Sequence, residues 1–283
     1  MVKTLLVPLD GSPAAELALE PAMRLAQGFD AELCLLSSTV GGHIESLEAY
    51  LNAAVTGLSD FHDLDGDTLV LPRGATTAVA RLVWPAPAII ASLEGTMDSA
   101  VCMATHGRGW FGRLALGSVA DEVVGDACAP VVLVGPEATL TAVKGRRMVL
   151  CWEGIDIDPA LLATATDWAL SLDLDVTVLH VRRPNVGEHG ISPSPAWQEA
   201  RHRVMDVLTA AGVRAGALIV DGHGVADEIV GHARTTPTAL IAMGCRRHRR
   251  QGRGPLDNVV LKTVKHAPCP VLVQSPAVAQ DRA

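Results

Sequence analysis

The stretch "MATHGRGWFGRLALGS", Met103–Ser118, closes one apolar run and reaches the next element through four glycines. Gly107, Gly109 and Gly112 turn where a side chain would clash, and they let backbone N–H groups come close to a ligand. Gly117-Ser118 then stands where a helix opens. The first N–H groups of a helix lack internal partners, and its positive dipole end favours an anion. Ser118 is expected as the N-cap, with a hydroxyl able to donate to a phosphate. On the glycines alone two readings stay open, a phosphate cradle and a flexible strand-to-helix turn. The stretch is not a Walker A motif, because no Gly-Lys-Ser/Thr follows. It is not a GxGxxG loop directly after a first strand either.

Working outward, compact apolar runs alternate with helical spacing. "TLLVPL", "AELCLLSS", "DTLVLPRG", "SAVCMAT" and "PVVLV" read as strands. "SPAAELALEPAMRLAQGFD" reads as a helix with Ser12 as N-cap and Pro13 at its first position, kinked by Pro21. "APAIIASLEGTMD" and "GSVADEVVGDA" read as two more helices. Continuous apolar strands alternating with helices imply a parallel sheet covered on both faces. Such sheets bind ligands beyond the carboxyl ends of their strands, where "VPLDGS" and "MATHGRG" both lie.

The pattern then repeats. "DACAPVVLVGP" (Asp126–Pro136) matches "HAPCPVLVQSP" (His266–Pro276) at an offset of 140, and "LLVPLDGS" (Leu5–Ser12) falls on "MVLCWEGI" (Met148–Ile155) at 143. In the second copy "VTVLHV", "GALIVDG", "ALIAMG" and "PVLVQS" follow as strands. The chain thus reads as two related units of about 140 residues, meeting in "GPEATLTAVKGRR", Gly135–Arg147. We expect domains at residues 1–137 and 146–276, a linker at 138–145 and a tail at 277–283.

Composition bounds the function. The chain has 283 residues, 49% apolar and only 3% aromatic, so Ala, Val and Leu must fill its cores. A net charge of −8 argues against a nucleic-acid binder. The six cysteines include no CxxC pair and mostly sit in apolar runs, which reads as buried reduced thiols and a cytoplasmic location. The start lacks the pattern of a signal peptide, and no apolar run approaches the ~20 residues of a membrane span.

These motifs, in this order, resemble the universal stress protein family in its tandem two-domain form. That family's fingerprint is Gly, two residues, Gly, nine residues, then Gly and Ser/Thr. Gly107, Gly117 and Ser118 match it, and Ala104 stands where the first glycine would be. "VPLDGS" resembles the family's first strand and turn, and "APVVLV" and "APCPVLV" its closing strand.

The resemblance implies an α/β fold of two tandem doubly wound domains, Rossmann-like and similar to the adenine-nucleotide alpha-hydrolases. Each would have a mainly parallel five-stranded sheet flanked by helices. It further implies binding of ATP, with magnesium left open. Asp10 would approach the ribose or the phosphate side, and Pro8 and Leu9 would shape the adenine pocket. Ser38 would offer backbone groups to the adenine, and Met103 would flank it. Gly107, Gly117, Ser118 and Val119 would hold ribose and phosphates. Arg108 and Arg113 stand open between phosphate contact and solvated loop, and His106 reads as a turn residue.

In the second unit Gly244 takes the place of Ala104, Arg247 that of the glycine, and Asp257-Asn258 that of Gly-Ser. Glu153 replaces Asp10, Ile155 replaces Ser12, and Trp152 replaces Leu9, where it can fill the adenine space. Asp257 would set a carboxylate beside a triphosphate, a like-charge contact. This unit is therefore expected to be a degenerate site. The arginines of "RRHRRQGRG", Arg246–Arg253, fit either an anion or partner site or a solvated loop.

Three functions remain: an ATP-dependent stress-response regulator, a slow ATPase, and a nucleotide-free interaction module. The first is favoured. Hydrolysis needs an oriented water and charge stabilisation at the γ-phosphate, and one good carboxylate, Asp10, is visible. The partners expected are an adenine nucleotide, a second copy in a homodimer and a regulatory protein, with no nucleic acid and no membrane.

Overall fold

The computed structural model describes residues 1–42, 44–61, 69–96, 98–105, 116–138, 146–152, 157–182, 194–245 and 258–275. These fall into two compact units, one within Met1–Pro136 and one from Glu137 onward.

The first unit runs β1 (Thr4–Pro8), α1 (Pro13–Glu16), α2 (Leu19–Phe29), β2 (Glu32–Thr39), α3 (Ile44–Gly57), β3 (Ala75–Arg81), α4 (Pro85–Leu93), β4 (Ser99–Ala104), α5 (Ser118–Asp126) and β5 (Val131–Val134). Its five strands lie in the order β3-β2-β1-β4-β5, all parallel. From β1 the chain builds outward to β3, then returns to the far side of β1. With right-handed crossovers the helices before β2 and β3 cover one face, and α4 and α5 cover the other, where they pack together. The reversal lies between β1 and β4. Central strands have no solvent face: Leu5 and Val7 of β1, Leu33 and Leu35 of β2, and Ala100, Val101 and Cys102 of β4 are fully buried.

The second unit repeats this with β6 (Arg147–Cys151), α6 (Pro159–Ser171), β7 (Asp175–Arg182), α7 (Pro195–Ala210), β8 (Ala215–Asp221), α8 (Val225–Thr235), β9 (Leu240–Gly244), α9 (Asn258–His266) and β10 (Val271–Gln274). Its strands lie in the order β8-β7-β6-β9-β10, again all parallel. The repeat reaches single hydrogen bonds. Asp30 and Asp173 both end a helix in the left-handed region, at φ 53° and 50°. After each, the next N–H reaches back by 2.8 Å, from Ala31 to the Ala26 carbonyl and from Leu174 to the Ala169 carbonyl.

Several expectations need correction. The described part of "DTLVLPRG", residues 69–74, is not the third strand. Leu71–Gly74 form a turn, with Gly74 at φ 76°, and the strand is Ala75–Arg81. As the edge of the sheet it is largely exposed, so it lacks the apolar continuity that marks the inner strands. A helix, α3, stands between β2 and β3. The first helix is broken in two: Ser12 accepts the Ala15 N–H at 3.2 Å and caps α1, while Pro21 sits in the first turn of α2. Having no N–H, Pro21 cannot continue the ladder back to Leu17, and the chain restarts there.

All six cysteines are free thiols; Cys102, Cys245 and Cys269 are buried and Cys128 is exposed. Burial pushes the Cys151 thiol up to about 12, helped by nearby Cys269, whose own thiol burial also raises to about 12. Both stay protonated and non-nucleophilic at neutral pH. Among the described residues no helix is long and apolar enough to cross a membrane.

One exposed position carries strain. Leu82, just after β3, sits at φ 57° with its side chain 82% exposed. Left-handed backbone costs a residue with a Cβ about 1–2 kcal/mol, and glycine avoids it. Leu82→Gly removes little packing, so it is expected to stabilise the chain by about 0.5–1 kcal/mol, read as a higher thermal midpoint.

Candidate functional site

The reversal between β1 and β4 opens into a cavity of about 700 Å³ beyond the carboxyl ends of the strands. That volume suits a small-molecule site, and a topological switch point is where open α/β sheets place one. β1 delivers Pro8, Leu9 and Asp10; β2 delivers Leu36, Ser37, Ser38 and Thr39; β4 delivers Met103, Ala104 and Thr105. The start of α5 supplies Gly117, Ser118, Val119 and Ala120, α3 supplies Ser46 and Leu47, and α4 supplies Pro85 and Ile89.

Three local devices set these groups. Leu9 continues the ladder past β1, its N–H donating to the Leu36 carbonyl at 2.8 Å, and its side chain is buried. At Asp10 the chain turns: Gly11 takes φ 78°, and the Ser12 N–H donates to Asp10 Oδ1 at 2.9 Å. This Asx-type turn holds the carboxylate at the cavity edge. Opposite, the Thr105 N–H donates to the Val134 carbonyl at 3.1 Å, while the Thr105 carbonyl accepts the Gly117 N–H at 2.8 Å. A backbone hydrogen bond thus joins the end of β4 to the residue that opens α5.

Gly117, not Ser118, is the N-cap of α5; Ser118 is its first helical residue. Among the described residues no side chain caps this helix, and the first bond of its ladder runs from the Asp121 N–H to the Gly117 carbonyl. The N–H groups of Ser118, Val119 and Ala120 lie before that bond, at the cavity wall. Among the described lining residues Asp10 is the sole charged side chain. Among the described residues, positive potential on this wall comes from the helix terminus.

Of the residues expected to bind, Pro8, Leu9, Asp10, Ser38, Met103, Gly117, Ser118 and Val119 line the one cavity. Gly107 and Arg108, with His106 and Arg113, lie outside the described residues. So do Glu153, Ile155, Arg247, Asp257 and the arginines of 246–253. Ala104 lines the wall. At the matching Gly244 an added Cβ would meet only Leu161 Cδ2, at an ordinary 3.7 Å.

One residue had no place in the sequence reading. Tyr50, the chain's single tyrosine, donates its hydroxyl to Glu16 Oε1 at 2.9 Å and so ties α3 to α1. Burial holds its hydroxyl well above the usual tyrosine range, reinforced by Glu16 and Asp10 and offset by a Gly11 backbone hydrogen bond. The phenol therefore stays a donor across ordinary pH. Since α3 forms one wall, Tyr50→Phe is expected to weaken ligand binding about 3–10-fold with an unchanged fold, a loss typical of one hydrogen bond, measured by calorimetric titration.

In the second unit the equivalent place is built differently. Trp152 holds the position of Leu9 by the same bond, its N–H donating to the Leu179 carbonyl at 2.9 Å. Its ring stacks on Trp197 of α7, with centroids 5.3 Å apart and planes at 19°. His180 completes the cluster, its Nδ1–H donating to the Trp152 carbonyl at 3.0 Å. At the strand ends, Arg182 and Asp221 form a bidentate pair at 2.6 and 2.7 Å.

Comparison with known proteins is consistent with this architecture. The model of the universal stress protein family matches the chain twice, at residues 1–135 and 145–274. A functionally unknown protein from Pseudomonas aeruginosa superposes with a TM-score of 0.67 at 15% identity, over 98% of this chain and 93% of that one. A universal stress protein from Archaeoglobus fulgidus gives 0.62 at 18% identity, over 98% and 97%. At these identities the likeness is one of fold. Another universal stress protein from Archaeoglobus fulgidus, solved in complex with dAMP, covers 45% of this chain and 95% of its own, at 18% identity and a TM-score of 0.34. No curated protein matches the chain.

Proposed function

We propose that this chain, which belongs to the universal stress protein family, binds ATP in its first unit and uses that occupancy to regulate a stress response. The observation that carries the reading is the cavity of about 700 Å³ with the α5 N-terminus, which no described side chain caps, on one wall and Asp10 on another. Leu9, Leu36, Ile89 and Met103 offer an apolar slot for a flat base, with backbone groups of Ser38 at its edge. Asp10 accepts from a ribose hydroxyl. The N–H groups of Ser118 and Val119 face the phosphates, which an electropositive helix end stabilises. Where magnesium accompanies the nucleotide, the Asp10 carboxylate and Ser118 hydroxyl are oxygen donors of the kind it takes.

The role is read as binding and response: an occupied site biases a conformational or partner equilibrium by its differential affinity for two states. Slow hydrolysis is the second reading, with Asp10 as the carboxylate concerned. Because one Asp10 oxygen already accepts the Ser12 N–H, its orientation suits contact better than proton abstraction. We further propose a homodimer, which sedimentation would show as twice the chain mass; a single-chain mass would refute it.

Mass spectrometry of the natively purified protein tests the reading. The expected spectrum carries bound ATP, and Asp10→Ala loses it. ADP that accumulates in the wild type but not in Asp10→Ala would move the assignment to a slow ATPase. A chain that neither carries nor takes up adenine nucleotide is an interaction module instead.

A further inference from the structure

We propose that in the second unit the chain supplies its own aromatic ligand: Trp152, stacked on Trp197, fills the volume that is an open cavity in the first unit. The identification of that volume with a nucleobase rests on the function proposed above; the filling itself does not.

Position comes first. Leu9 and Trp152 each sit one residue past the end of their strand, and each is tied to its unit's second strand by the same backbone bond, to Leu36 and Leu179 respectively. Each unit's second helix-bearing crossover, α3 or α7, closes the same side. α3 presents Ser46 and Leu47 to an open space, whereas α7 sends Trp197 from its first turn onto the Trp152 ring. The strand position of Ser37, a cavity residue, is taken by His180, which leans on both indoles with ring centroids 6.1 Å from Trp152 and 5.3 Å from Trp197. Three small or aliphatic walls have thus been exchanged for three rings.

Burial comes second. Trp152 is 4% and Trp197 7% exposed. The offset, nearly parallel stack is the geometry in which a purine would lie on an aromatic ring. Yet both indole Nε1 atoms, and Nε of Arg201 one turn on from Trp197, are buried without a hydrogen-bond partner among the described residues. A core selected only for packing would use phenylalanine, since a buried unpaired donor is costly. Rings with unsatisfied edges are what results when side chains fill a space shaped for a ligand. The second unit therefore takes no adenine nucleotide, irrespective of its phosphate end.

Variants of the full chain test this. Trp197→Ala is expected to open the space, and millimolar indole then raises its thermal midpoint by several degrees. Wild type and Trp197→Phe, which keeps a ring there, show no such shift. Trp152→Leu restores the residue of the first unit and keeps the test open if Trp197→Ala fails to fold. It is expected to bind a second equivalent of adenosine at least 10-fold more tightly than any second equivalent in wild type. The inference is overturned if wild type binds two equivalents, or if indole stabilises neither folded variant. If wild type binds no adenosine while indole still rescues Trp197→Ala, the reading of the first cavity fails and the filling of the second stands.

Discussion

Gly117→Glu is expected to weaken adenine-nucleotide binding at least about 100-fold while leaving the fold intact, a loss of about 2.7 kcal/mol. Backbone geometry protects the fold. Gly117 sits at φ −55° and ψ 145°, which any residue adopts, and its N–H to the Thr105 carbonyl survives substitution. A carboxylate at an N-cap even favours the helix, by accepting its unpaired N–H groups and meeting its dipole. Those same N–H groups are the proposed phosphate contacts. The variant thus fills the anion site with an anion of its own and adds like-charge repulsion. Calorimetric titration reads the affinity, and circular dichroism with a thermal melt reads the fold. Gly117→Ala, uncharged and small, should lose far less. Undiminished affinity in Gly117→Glu would remove the α5 terminus from the site.

Leu35→Ala is expected to cost about 3 kcal/mol of stability and lower the thermal midpoint by about 10 °C. Leu35 lies on β2 between Val7 of β1 and Thr77 of β3, with no exposed surface. Its truncation leaves a void between a central parallel strand and the helices covering it. Neighbours held by hydrogen bonds on both sides cannot collapse into that void. Thr77, directly beside it in register, is exposed on the edge strand. Thr77→Ala should change stability by no more than about 0.5 kcal/mol. Urea unfolding of the pair measures both, and equal midpoints would contradict the assignment of β2 to the core.

The two variants mark what could be read beforehand. Inner strands were legible because burial on both faces leaves an unbroken apolar run, as in "TLLVPL" and "SAVCMAT". β3 was not, because an edge strand with one wet side reads "ATTAVAR", less strand-like than the "DTLVLPRG" before it. For α3 a signal was present: Ile44, Leu47, Leu51, Val55 and Leu58 recur at helical spacing. It is the helix that bears Tyr50. The cap of α5 was misplaced by one residue, since Ser is the usual N-cap and only geometry puts Gly117 there. Trp152 was visible as a substitution for Leu9, but its partner was not. Trp197 lies far along the chain on a helix whose counterpart has no ring at that place, so only the fold brings them together.

The stacked indoles also make the two halves optically distinct. Two such chromophores 5.3 Å apart exchange excitation, and their transitions split into an exciton couplet in circular dichroism. That band reports residues 152 and 197, both in the second unit. Its decay during denaturation times the loss of packing in the second unit alone, in the intact chain and without any label.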